Sequence, residues 1–456
     1  MNFVTVASFL YCLSPLVALL LVAGLRRSKN AMNWVGTGLG VFRLLFLIPI
    51  IDAVLIHATK LQPAIGFIDE FAIRVSTDWS GHRIWFLLVV DCCFLMSYFM
   101  RVGTARHQIL IEMMLYACQA VITLYVITSN LLLANAMQAS TALILFFIVR
   151  LSLGEKSSTA SYISNRVLMT YACLAILGIV WSISEYTIVN RPGFPILELS
   201  PTTGASSLAI RLWMIALLFS VPLSPWSSWF NRAVVDLPEA VTMALVVFVS
   251  AVILRAGETY VSVYTDLPSA YKLLVYLTGV MGCVFSLASL FTVETRRAML
   301  GCIPKFFLSL VLVGIGVARG GNLAVVYLLC LFIPIFCGVV LYSSSLSLNT
   351  NYQRVFVGIF LLFLIGFPGS PAYQIFSLVG GRSLEMGPGY ALIFAVLWFS
   401  YFFSIVFICR RIFLDEETAA VGVETPLTKA PVLMTSYAIF MLLFMSFIAL
   451  VSGRVS

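Results

Sequence analysis

Ser220-Val221-Pro222-Leu223-Ser224-Pro225 and Gly366-Phe367-Pro368-Gly369-Ser370-Pro371 are the two stretches on which the architecture turns. Each lies in an apolar run long enough to cross a bilayer, 206–226 for the first and 353–379 for the second. Proline removes a backbone donor and clashes with the preceding turn of a helix, so both runs are predicted to be broken helices at mid-membrane depth. Lipid supplies no water to satisfy the freed backbone groups, so such breaks belong where the helix is covered by protein or lines a polar passage.

The sequence around them is predominantly apolar. Hydrophobic residues make up 61% and charged residues 10% of 456 positions, and mean hydropathy is +1.05. A soluble domain carries about 25% charge, so most of this chain's surface must face lipid, and its backbone groups must pair internally as helices. About 20 apolar residues span a membrane. By that measure fourteen spans are expected: 3–25, 34–57, 84–101, 108–128, 130–151, 165–185, 206–226, 237–258, 269–291, 298–318, 322–344, 353–379, 388–412 and 432–452. The fold class is an all-α polytopic membrane protein.

The two Pro-x-Ser-Pro breaks fall in spans 7 and 12, five spans apart. Paired interruptions at corresponding places are the mark of an inverted repeat, here spans 4–8 against 9–13. The expected divisions are 1–107 (an N-terminal three-helix segment), 108–260 and 261–412 (the two repeats), and 413–456 (a loop and last helix). Loops after odd-numbered spans carry Arg26, Arg27, Lys29, Arg101, Arg106, Arg150, Lys156, Arg166, Arg232, Arg296, Arg297, Arg354, Arg410, Arg411 and Lys429. The positive-inside rule puts those loops in the cytoplasm or matrix and both termini on the outer side. The 27 Lys+Arg outnumber the 19 Asp+Glu, but the positives are spread over short loops rather than gathered into a patch, which argues against a nucleic-acid partner. No amphipathic presequence is apparent before Phe3, as expected of a bacterial protein or one made inside an organelle.

The stretch from Ser220 through Pro238 resembles the broken seventh helix of antiporter-like subunits of respiratory complex I. Mitochondrial NADH dehydrogenase subunit 4 carries a pattern near K-x-P-x-x-x-x-H-x-W-L-P-x-A-H-x-E-A-P. Pro222, Trp229, Ala233 and Pro238 match it without a gap, and Asp236 stands for Glu. Ile253-Leu254-Arg255-Ala256-Gly257 resembles the L-L-K-L-G of the next helix, about one turn further on. Glu294-Thr295-Arg296-Arg297 resembles the D-L-K-R before the tenth span, and Gly366-Phe367-Pro368-Gly369 resembles the G-L-P-G of the second break. The resemblance implies a membrane-arm subunit of NADH:ubiquinone oxidoreductase in the mitochondrial inner membrane, with both termini facing the intermembrane space. It implies an enzyme only as part of that complex, with FMN, iron–sulfur clusters and ubiquinone held elsewhere and no cofactor in this chain. Neighbouring antiporter-like and accessory subunits and lipids such as cardiolipin are the implied partners. Sibling subunits 5 and 2, and a free-standing cation/proton antiporter, are the alternatives.

The family places a Glu on span 5, Lys on spans 7 and 8, and Lys or Glu on span 12. Here those positions hold Gln138 or Ala139, Ser220, Arg255, and Phe376 or Ser377. Ser and Gln do not change charge near neutral pH, and Arg does not release its proton. The resemblance therefore implies a proton-translocating module whose path residues are reduced or lost. Lys305 and Glu112 are the ionisable residues that would overturn this if they converge on the central axis. Lys305, directly after Pro304, is either a titrating group or a side chain reaching for the interface. Glu258 lies three residues after Arg255 and is expected to pair with it. Arg43, Asp52 and Asp91 are expected to form a packing ion pair, and Trp226 and Trp229 to anchor at the interface. The ten Cys form no C-x-x-C pair and read as buried thiols, among them Cys118, Cys173, Cys283 and Cys330. His57, His82 and His107 are too scattered for a metal site.

Overall fold

The computed structural model describes residues 3–24, 29–56, 64–68, 73–76, 79–100, 107–154, 157–189, 217–223, 228–264, 269–293, 295–318, 324–344, 351–368 and 370–414. Span 14, most of span 7, the polar stretches 190–205 and 415–431, Pro225, Trp226 and Glu294 lie outside them.

Helices α1 (Phe3–Gly24), α2 (Lys29–Ile51), α3 (Gly81–Phe99), α4 (Gln108–Ile127), α5 (Leu131–Leu153) and α6 (Ser158–Val189) take up the first six expected spans. A five-residue π-helical turn, Asp52–Ile56, extends α2. Two antiparallel strands, β1 (Ala64–Ile68) and β2 (Ile73–Ser76), form a hairpin in the stretch between spans 2 and 3. This is a small departure from all-α, confined to a polar connection where the backbone has no need of a helix. Then follow α7 (Ser228–Asp236), α8 (Glu239–Tyr264), α9 (Ser269–Leu290), α10 (Arg296–Gly316), α11 (Ala324–Ser344), α12 (Asn351–Ile365), α13 (Pro371–Met386) and α14 (Pro388–Leu414). Eleven of the described helices are long and apolar enough to cross a membrane.

Local chemistry fixes the ends. Asn130 caps α5 by accepting from the Leu133 amide at 3.1 Å, and Thr295 caps α10 by accepting from Ala298 at 3.3 Å. Both breaks are present. Helix at 217–220 stops at Val221, and Pro222 and Leu223 are non-helical. Span 12 divides into α12 and α13. Gly366, at φ +87°, takes the left-handed conformation that ends α12. Ser370 then caps α13 through the Tyr373 amide at 3.2 Å, with Pro371 in the first turn, where its missing N–H costs nothing. Among the described residues the second break is therefore Gly366, Phe367, Pro368 and Ser370, and Pro371 begins a helix instead of breaking one. Pro15, Pro49, Pro304 and Pro334 sit inside unbroken helices, so proline alone is a poor guide to a break.

The chain divides into two compact units, Met1–Ser220 with Asp236–Asp266, and Val221–Val235 with Leu267–Ser456. The segment after the first break, with all but the last residue of α7, thus groups with the second unit, where a cut near 260 had been expected. In the first unit α4 packs on α5, α5 on α6, and α8 on both α4 and α5. In the second unit the helices five spans later repeat these pairings: α9 on α10, α10 on α11, and α14 on α9 and α10. The α9–α10 contact is close because a Cβ on Gly279 would stand 2.6 Å from the Val313 nitrogen. Exposed apolar side chains such as Leu20, Leu45, Leu392 and Phe403 cover the outer faces, as lipid requires.

Candidate functional site: a buried polar run in the first unit

Arg255 and Glu258 share one face of α8 and pair at 3.1 Å. Glu258 also takes two groups from the first turn of α3. Arg83 donates through Nη2 at 2.9 Å and Nε at 3.1 Å, and His82 Nε2 lies 2.8 Å away. Only His82 has appreciable exposure, at 30%. Arg83 and Arg255 thus share the Glu258 carboxylate. The Thr128 carbonyl also accepts from Arg255 Nη2 at 2.8 Å. Thr128 is the C-cap of α4, where helical carbonyls are left over and the dipole is negative.

From Arg255 the polar groups continue inward. Its guanidinium lies 5.9 Å from the Tyr125 ring centre. The Tyr125 hydroxyl donates to Gln138 Oε1 at 3.2 Å, and Gln138 Nε2 donates to the Tyr171 carbonyl at 3.0 Å. The Tyr171 hydroxyl in turn donates to the Ser220 carbonyl at 3.3 Å. Ser220 spends its own hydroxyl on Leu217, one turn back, at 2.7 Å. Arg255, Gln138 and Ser220 thus lie on one run. Tyr125 and Tyr171, which the sequence did not single out, join them. Three buried polar atoms of this unit, Thr128 Oγ1, Asn135 Nδ2 and Ser250 Oγ, have no partner among the described residues and are of the kind that hold internal water. Chemically the run can order water but has no member between Arg255 and Ser220 that gains or loses charge near neutral pH.

A second network ties the first four helices. Asp91, wholly buried on α3, accepts from Arg43 Nε at 2.6 Å, the Tyr11 hydroxyl at 2.6 Å and Gln119 Nε2 at 3.1 Å. Arg43 also donates to the Tyr11 carbonyl at 3.0 Å and Thr123 Oγ1 at 2.9 Å, and it lies 4.0 Å above the Tyr11 ring. The expected ion pair is therefore Arg43–Asp91. Asp52 is not one of its two members; it is the first residue of the π-helical turn that follows α2 and is exposed. Glu112, buried in the first turns of α4, accepts from Gln108 at 2.9 Å and does not join the Gln138 run.

The second unit is different at the matching places. Lys305 on α10 is 1% exposed, so it is a core side chain and does not reach an interface. Phe376, one of the two residues to which the resemblance assigns the span 12 charge, is stacked on Trp398 at 5.5 Å and 6°, and Ser377, the other, is exposed and donates to the Gln374 carbonyl at 2.9 Å. Tyr401, Phe306 and Phe394 ring Phe376 at 5.0, 6.2 and 6.1 Å. The motif residues have packing roles. Trp229 is buried edge-on to Phe230 at 5.7 Å instead of anchoring at an interface, and Ala233 is fully buried beside them. Asp236 ends α7 exposed, and the Pro238 carbonyl accepts from the Val241 and Thr242 amides in the first turn of α8 at 3.1 and 3.0 Å. Arg296 donates to the Ser343 carbonyl at 2.7 Å at the end of α11. Cys118, Cys283 and Cys330 are buried, but Cys173 is exposed, and no group of three or more metal-binding side chains occurs among the described residues.

No protein-family description matches this sequence, and no curated protein does. Solved structures match over nearly the whole chain. One is a chain of the membrane-bound sulfane sulfur reductase, an archaeal respiratory membrane complex, at 13% identity and TM-score 0.79, covering 96% of this chain and 75% of that one. Another is a chain of the Mrp complex from Dietzia sp. DQ12-45-1b, at 13% identity and TM-score 0.78, covering 98% of this chain and 95% of that one. The protein is a multi-pass membrane protein that shares its fold with these two chains.

Proposed function

We propose that the chain is an antiporter-like subunit of a multi-subunit membrane complex, and specifically a divergent membrane-arm subunit of NADH:ubiquinone oxidoreductase resembling subunit 4. In this reading the proton path at the family positions is retired. The carrying observation is the fully polar but charge-silent run through Gln138, Tyr171 and Ser220, set in a fold shared with a chain of a respiratory membrane complex. The chain binds no flavin, cluster or quinone; electron transfer belongs to other subunits of the complex in the mitochondrial inner membrane. Native gel electrophoresis of solubilised membranes is the test. Co-migration with NADH dehydrogenase activity in a very large complex is expected; a small free oligomer overturns the reading. A second reading, a subunit of an Mrp-like complex, is favoured by the near-complete mutual coverage with the Mrp chain. It predicts a large assembly without that activity.

A further inference from the structure

Helix α4 carries polar side chains at Glu112, Tyr116, Gln119 and Thr123, a 4-3-4 spacing that puts all four on one face. Eleven residues of helix rise about 16 Å, roughly half of a hydrocarbon core. Each of the four is buried. Tyr116 lies against Tyr98 of α3, ring centres 5.0 Å apart. The Tyr98 hydroxyl donates to Gln119 Oε1 at 2.8 Å, and Gln119 Nε2 donates to Asp91 Oδ1 at 3.1 Å. Room for the two tyrosines comes from Gly36 on α2, where a Cβ would stand 2.9 Å from the Tyr98 ring and 3.0 Å from the Tyr116 hydroxyl. An apolar sleeve of Ala18, Val22 and Leu39 packs on Tyr116. A file of polar groups thus leads from a carboxyl at the start of α4 to a carboxylate at the middle of α3, inside an apolar wall.

We infer that this file is a proton half-route, from Glu112 along Tyr116, Tyr98 and Gln119 to the Arg43–Asp91 pair, standing in for the family-position path. A buried ionisable residue in a membrane span is costly, and a carboxyl near the start of α4 and another at the middle of α3, with a row of hydroxyl and amide groups between them, have the make-up of a proton relay. The step balances simply. A proton from the aqueous phase next to Glu112 passes along water ordered by these groups and forms an O–H bond on Asp91 Oδ1. The Arg43 Nε and Gln119 Nε2 hydrogen bonds to Asp91 Oδ1 both break, the new O–H turns to donate to the Gln119 amide oxygen or to water, and Arg43 keeps its proton and its bonds to the Tyr11 carbonyl and Thr123. Protonation therefore uncovers one positive charge among α1, α2 and α4. The rival account is a static clamp, in which Asp91 is never protonated.

The inference rests on the subunit reading above for its physiological output, so two measurements are paired. A lipid-soluble carbodiimide reacts with a carboxyl only through its protonated form, giving an acylurea detectable by peptide mass. Applied to the full chain in membranes, it is expected to modify Glu112 and Asp91 and to spare Glu258, held by two arginines. Modification of Glu112 without Asp91, or of neither, overturns the half-route whatever complex the chain belongs to. In the purified complex, Tyr98→Phe keeps the ring and removes the relay hydroxyl. It is expected to lower protons moved per electron by one subunit's share with electron transfer intact, and Glu112→Gln to do the same. An unchanged ratio in both variants overturns the route. A chain that purifies without any redox activity sinks the subunit reading instead and leaves the carbodiimide result to decide the route.

Discussion

The two units pair their helices alike but handle charge in opposite ways. Among the described residues, the first unit buries Arg43, Arg83, Asp91, Glu112, Glu239 and Arg255, and the second buries Lys305 alone. Where the first unit has Gln138, Tyr171 and Ser220 joined by hydrogen bonds, the second has Phe376 stacked among Trp398, Tyr401 and Phe306. One scaffold thus holds either a polar interior, which must satisfy each donor and acceptor, or an aromatic one, which only has to fill space. A helix pattern fixes which residues meet, and the residue types at those meeting points decide whether water and charge can enter.

That contrast can be broken by substitution, most strongly in the first unit. Asp91→Ala leaves Arg43 buried without its carboxylate and is expected to cost about 3–5 kcal/mol, read as lost thermal stability of the detergent-solubilised protein. Replacing both partners, Arg43→Met with Asp91→Leu, should recover most of that loss, because it is the uncompensated charge that destabilises. If the double variant is as unstable as the single one, the network is held by shape and not by charge compensation. Phe376→Ala opens a cavity in the aromatic cluster and is expected to cost about 3–4 kcal/mol by the same assay. A loss under about 1 kcal/mol would show that the cluster is loose, and the contrast between the units would narrow. Gly279→Val forces a side chain against the α10 backbone and is expected to cost about 1–3 kcal/mol; a stable variant would mean that α9 and α10 can separate freely.

Much of this was readable from residues, and the reasons it stopped are physical. The Pro-x-Ser-Pro pairs marked both breaks, because proline acts locally on its own backbone. They misplaced the second edge by one residue, since Pro371 is as welcome in a first helical turn as it is unwelcome inside one. The 255/258 spacing gave the Arg255–Glu258 pair, but Arg83 and His82 are more than 170 residues away in sequence and come to Glu258 only through packing of α3 on α8. The Arg43–Asp91 pair was expected in kind; its tyrosine, glutamine and threonine partners were not, because hydroxyls and amides in an apolar run look like ordinary composition until a helix face is drawn. The 4-3-4 spacing on α4 was the signal that could have found them.

The smallest expected effect is also the most direct test of the central claim, that the run at the family positions no longer carries protons. Gln138→Ala with Ser220→Ala removes the two polar side chains that stand at the family positions, and Ser220 loses only a one-turn hydrogen bond worth about 1 kcal/mol. The quantity to measure is protons translocated per electron by the purified complex in liposomes. The account predicts the same ratio for the double variant as for the unaltered protein, and a ratio lower by one subunit's share would contradict it.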